Sequence, residues 1–217
     1  MDNSNNGFLL INKPSGPTSH DIINKLRRLT DIKKIGHAGT LDPFASGLLI
    51  CAVGREATKE IDKFVKLDKE YIATLHLGAV TDSYDRTGKI IAASAEVRQL
   101  AEPPKKEIVE KAVLEFIGPQ LQTPPMFSAK KINGKKMYEL ARQGKEVERQ
   151  PCAITIYEME ILSYDWPILK IKVKCSTGTY IRTIAYDLGE RLGCGAYLEE
   201  LERTKIGEYG VEEAIRL

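Results

Sequence analysis

Asp42 stands directly before Pro43 in the stretch 35–49, IGHAGTLDPFASGLL, among Gly36, Gly39 and Gly47 and five residues after His37. A residue preceding proline is pushed towards extended backbone, and glycines interrupt both helical and strand periodicity, so this acid belongs on a shaped loop. Two roles are open to a carboxylate so placed: a nucleophile or base, or a turn acid bonded to nearby backbone amides. Arg182, in TYIRTIAYDLGERLG, falls in the first turn of an expected helix, where the dipole disfavours a cation unless a buried carboxylate compensates. If Asp42 is that carboxylate, the pair favours the ionised acid and fixes its direction; otherwise Arg182 is a surface residue near a helix start.

Tyr71 and Tyr180 have the ring that proteins use to hold an unstacked base, although each also suits a core position. His37, between Gly36 and Ala38, is expected to be exposed enough to touch a ligand. No metal is expected, because the three histidines and four cysteines follow no metal-ligand spacing, and the cysteines show no disulfide framework. The segment 128–149, SAKKINGKKMYELARQGKEVER, carries seven basic residues against three acidic ones. Lys130, Lys131, Lys135, Lys136 and Arg142 within it are candidates to clamp a phosphate backbone. A second patch, Lys25, Arg27, Arg28, Lys33 and Lys34, leads into the Asp42 loop.

The net charge of +2 across 217 residues argues against a protein that coats polyanions globally, so any nucleic-acid site must be local. No apolar run approaches the roughly 20 residues that span a bilayer, and the start MDNSNNGFLL lacks a signal pattern. A cytoplasmic protein is expected.

The elements that must position these residues follow from periodicity. GFLLINKP, stopped by Pro14, GLLICAVG, KEYIATLHLG, AITIYEMEIL and ILKIKVKC read as strands, the third with Tyr71, Ala73, Leu75 and Leu77 inward. TSHDIINKLRRL reads as a helix capped by Thr18 or Ser19 with Ile22, Leu26 and Leu29 on one face. EATKEIDKFV reads as a short helix, and IVEKAVLEFIG as a longer one with Ile108, Val109, Ala112, Val113 and Phe116 in a stripe. An Asn133-Gly134 turn precedes a further short helix, and Ile181, Ile184, Ala185, Leu188 and Leu192 line the helix that holds Arg182. With no repeat or linker, this predicts one α+β domain around a mixed, largely antiparallel sheet.

Five ordered blocks, INKPSGPTS, IGHAGTLDPFASGLL, KEYIATLHLGAVTDSYDRTG, TPPMFSAKKINGKKMYELARQG and CSTGTYIRTIAYDLGERLGCGAYLEELERTKIG, resemble the TruB family of tRNA pseudouridine synthases over nearly the whole chain. The resemblance implies the pseudouridine synthase catalytic fold, with flanking helices and a central RNA-binding cleft. It implies one catalytic domain over 1–217 with a thumb-like basic segment at about 123–150, and isomerisation of uridine at position 55 in the T-loop of tRNA. Asp42 would be the nucleophile, Arg182 its partner and Tyr71 the residue stacked on the flipped uracil. His37, Tyr180, Leu198 and Lys13 would surround the nucleotide. No cofactor is implied; the partner is the T-arm of tRNA, with no obligatory protein partner and a monomer expected.

Two departures stand out. With GVEEAIRL at about the end of the catalytic domain, the chain is expected to lack the C-terminal PUA-type domain of many relatives, and the loop has Ala38 where threonine is frequent and no proline after Leu48-Leu49. Two further readings compete with a standalone enzyme: a guide-RNA-dependent synthase within a ribonucleoprotein, and an RNA-binding or tRNA-folding module with a vestigial loop.

Overall fold

The computed structural model describes residues 7–91, 103–128, 131–132, 135–137 and 149–217. The chain divides into two compact units, 1–72 with 200–217, and 73–199. In the first unit, apolar β1 (Gly7–Lys13) leads to α1 (Ser19–Thr30), β2 (Ile35–His37) and β3 (Ser46–Val53). Thr18 caps α1 in a reciprocal box with Asp21, which satisfies two otherwise unpaired donors. Ile22 and Leu26 are buried as expected, whereas Leu29 is 65% exposed: it lies in the last turn, beyond the face that meets the sheet. The expected helix 56–65 is two short ones, α2 (Arg55–Lys59) and α3 (Asp62–Val65).

β1 runs antiparallel to β3 from Gly7↔Val53 to Lys13↔Gly47. Ile11, Leu49 and Cys51 pack with Ile22, Ile23 and Leu26 of α1 in one core cluster. β4 (Lys69–Leu77) carries the chain into the second unit with strict alternation, Tyr71, Ala73, Leu75 and Leu77 all buried.

The second unit continues with the hairpin β5 (Val80–Thr81) and β6 (Ile90–Ile91), α4 (Lys106–Leu114) and β7 (Gly118–Gln122). A small antiparallel pair, β8 (Lys131–Ile132) and β9 (Lys135–Lys136), precedes β10 (Cys152–Asp165) and β11 (Ile168–Cys175). The Asn133-Gly134 turn, the helix expected after it, Lys130 and Arg142 lie outside the described residues. Along β11, Leu169, Ile171, Val173 and Cys175 are fully buried between Lys170, Lys172 and Lys174. β10 lies antiparallel to both β11 and β7. On α4, Val109, Ala112 and Val113 face inward but Ile108 is 55% exposed, one step off the buried stripe.

α5 (Ile181–Arg191) buries Ile181, Ile184, Ala185 and Leu188 as its spacing predicts. β12 (Ala196–Ile206) then returns to the first unit, where Glu202 and Arg203 pair in parallel with Ser46 and Gly47 of β3, and β13 (Tyr209–Gly210) closes against its end. The pairing is therefore mixed but mainly antiparallel. No helix among the described residues is long and apolar enough to cross a membrane.

Candidate active site

Asp42 lies on the loop between β2 and β3 and is half-buried. The loop is shaped by groups that bind its main chain. Ser19 Oγ donates to the Leu41 carbonyl at 3.0 Å and accepts from the Leu41 N–H at 2.9 Å. Ser15 Oγ donates to the Phe44 carbonyl at 2.7 Å, and the Gly16 N–H to that of Pro43 at 2.8 Å. The segment 13–19, rich in proline and glycine and so unable to continue as strand or helix, wraps the nucleophile candidate from one side.

Two buried cations complete the frame. Lys13, with no exposed surface, donates to the carbonyls of Pro14 and Pro17 at 2.8 Å and of Pro43 at 3.3 Å. Burial pulls its ammonium down to about 8, with Asp42 acting in the opposite sense by favouring the charge and Arg203 disfavouring it. Arg203, 2% exposed, donates through Nε to the Leu48 carbonyl at 2.8 Å and through Nη2 to that of Gly39 at 3.0 Å. Gly47 has φ +103°, and a Cβ there would collide with the Arg203 backbone. Only glycine lets β3 start so close to β12.

His37 is half-buried, with Nδ1 buried and lacking a hydrogen-bond partner among the described residues. Burial and then Arg203 lower its pKa, so it is neutral at pH 7. Tyr71 is 8% exposed on the inward face of β4.

In the second unit Arg182 is the second residue of α5 and is 5% exposed. Its Nη1 donates to the Ser83 carbonyl at 3.1 Å and lies 3.4 Å from Asp85 Oδ2, while Nη2 donates to the Phe127 carbonyl at 2.7 Å. Asp85 is itself buried and its Oδ1 accepts from Ser83 Oγ, the Thr87 amide and Thr87 Oγ1 at 2.6 to 2.9 Å. These donors satisfy the buried carboxylate of Asp85 and aim it at the guanidinium.

Tyr180, the residue before α5, is fixed by the Gln122 amide, which accepts from its N–H at 2.8 Å and donates to its carbonyl at 3.0 Å. Leu198 is fully buried; its N–H donates to the Tyr84 carbonyl at 2.9 Å and its carbonyl accepts from the Arg86 N–H at 3.0 Å, placing it beside the Asp85 turn.

Thus Lys13 and His37 share the first unit with Asp42 and Tyr71, while Arg182, Tyr180 and Leu198 share the second. Asp85, Arg203 and Gln122 were not singled out from sequence. Asp85 sits in the quoted DSYDRTG block, but its partner lies almost a hundred residues away. Arg203 lies in β12, whose scattered charges hide the strand pattern.

The chain matches the model of the TruB family pseudouridylate synthase N-terminal domain over residues 27–181, and that of the tRNA pseudouridylate synthase B C-terminal domain over 182–217. It is 52% identical over 209 residues to the tRNA pseudouridine synthase B of Protochlamydia amoebophila, covering 96% of this chain and 77% of that protein. The corresponding protein of Chlamydia felis is 51% identical, with 96% and 86% covered. Among solved structures, a chain of a Cbf5-Nop10-Gar1 complex superposes with a TM-score of 0.73 at 28% identity over 97% of this chain, which spans about half, 52%, of that one. The chain belongs to the TruB family of pseudouridylate synthases, enzymes that isomerise uridine to pseudouridine.

Proposed function

We propose that this protein isomerises uridine to pseudouridine at position 55 in the T-loop of tRNA. The observation that carries the reading is the identity of about half of all residues to proteins named as tRNA pseudouridine synthase B, over 96% of the chain. The reaction cuts the C1′–N1 bond, turns the uracil and joins C5 to C1′, with the C5 proton lost and N1 protonated. Asp42 is the nucleophile. Its loop, clamped by Lys13, Ser15, Ser19 and Arg203, gives a carboxylate the fixed direction that nucleophilic attack needs.

Arg182 pairs with Asp42 and is positioned by Asp85. Tyr71 stacks on the flipped uracil, and His37, Tyr180, Leu198 and Lys13 form the surroundings of the nucleotide, Leu198 as a buried support. Extruding the base costs a few kcal/mol, which contacts to the folded T-arm offset. Lys130, Lys131, Lys135, Lys136 and Arg142 hold the RNA backbone. The protein acts alone, as a monomer, and a cytoplasmic location suits its substrate.

Purified protein incubated with unmodified tRNA transcript, followed by carbodiimide labelling and primer extension, tests this reading. A stop at position 55 is expected. Measurable tRNA binding with no stop anywhere would favour a binding module or a missing partner instead.

A further inference from the structure

Tyr84 has a left-handed backbone, φ 63°, which a residue with a bulky side chain adopts rarely. It lies between Ser83 and Asp85, whose carbonyl and carboxylate oxygens both face Nη1 of Arg182. The left-handed step reverses the chain within three residues, so two acceptors converge on one nitrogen. The ring of Tyr84 stacks on that of Tyr186, with centroids 4.1 Å apart and planes inclined by 22°. Tyr186 follows Arg182 by four residues on α5, one helical turn, so both leave the same face of the helix.

The turn 83–85 is therefore attached to α5 at two points, the guanidinium and the ring stack. A third attachment runs from the Tyr84 carbonyl to the Leu198 N–H. Both rings are half-buried, so the pair hides less apolar surface than a core pair would, and packing alone would not require the left-handed turn.

We propose that the Tyr84–Tyr186 stack is a positioning device for the reaction: it sets the approach of Ser83 and Asp85 to Arg182 and, through Arg182, the geometry of the catalytic carboxylate. This rests on the role given to Arg182 above. In this role the stack removes the freedom of α5 to slide against the turn. A small displacement of a positioning group is enough to slow chemistry without weakening binding.

The test compares single-turnover pseudouridine formation and the tRNA Kd for Tyr186→Phe, Tyr186→Leu, Arg182→Lys and the Tyr186→Leu/Arg182→Lys pair. Tyr186→Phe keeps the stack and the rate. Tyr186→Leu lowers the rate constant about tenfold while the Kd stays the same, and adds no further loss in the Arg182→Lys background, because both changes act through one group. Tyr84→Leu removes the same stack from the other ring and gives the same result, which covers the case of a Tyr186→Leu protein that does not fold. Tyr186→Leu at the full rate, or an equal loss in both backgrounds, overturns the positioning role while leaving Arg182 in place. Arg182→Lys at the full rate overturns the reading of Arg182 itself, and the proposal with it.

Discussion

In the first unit Lys13 and Arg203 aim their donors at main-chain carbonyls on either side of Asp42, whereas in the second Arg182 meets the carboxylate of Asp85 as well as two carbonyls. Both regions bury cations almost completely, but for different ends. The carbonyl-bound cations fix the path of a loop through an attraction that acts on the backbone. The carboxylate-bound cation is part of a charge-balanced cluster whose direction is set by hydrogen bonds. The groups that shape the Asp42 loop and those that hold Arg182 are thus separate, and each set can be damaged separately.

The largest effect on stability is expected at the charge-balanced centre. Asp85→Ala removes the buried carboxylate that lies 3.4 Å from the Arg182 guanidinium, and removing one partner of such a pair costs about 3–5 kcal/mol. Urea denaturation reads this directly, and a change below about 1 kcal/mol would show that the buried guanidinium does not depend on Asp85. Next comes Arg203→Met, which keeps the apolar stem but strands the Leu48 and Gly39 carbonyls. A loss of about 2–3 kcal/mol is expected, with turnover falling as the Asp42 loop loosens; unchanged turnover in the folded variant would separate Arg203 from the loop's function.

Lys13 sharpens the contrast through pH. Its ordinary pKa of 10.5 is lowered to about 8 in the folded protein. Between these values the unfolded chain holds the proton and the folded one does not, so this residue makes stability rise with pH across that window. Activity goes the other way: a neutral amine has two N–H groups for three carbonyls, and turnover is expected to fall as pH passes about 8. A pH–rate profile of wild type beside Lys13→Arg checks this, since the arginine stays charged and its profile should lack that step. A shared step would assign the titration elsewhere. The smallest effect is expected in the basic segment, where alanine at Lys130, Lys131, Lys135 and Lys136 should weaken tRNA binding and flatten its salt dependence. An unchanged salt slope would remove these lysines from the interface.

What could be read from sequence was whatever repeats locally. The alternation of KEYIATLHL and ILKIKVKC and the start of α1 are properties of neighbouring residues: the strands alternate where expected, and of the two cap candidates, Thr18 and Ser19, the structure has Thr18. Leu29 and Ile108 were misplaced because a helical stripe fixes a face but not how wide a face its neighbour covers. β12 was not foreseen: AYLEELERTKI scatters five charges through its strand, and one of them, Arg203, points inward. Asp85 and Gln122 escaped for a related reason, since each gains its meaning from a partner more than fifty residues away. Asp42 stood out because proline and glycine mark a loop in the chain itself.

The most direct test of the central claim is the single-turnover rate of Asp42→Asn on unmodified tRNA, measured beside its tRNA Kd. One oxygen exchanged for nitrogen removes the nucleophile but little shape, so pseudouridine formation should be lost almost entirely with the Kd held within about twofold. An asparagine variant that still forms pseudouridine at a rate near that of wild type would contradict the account.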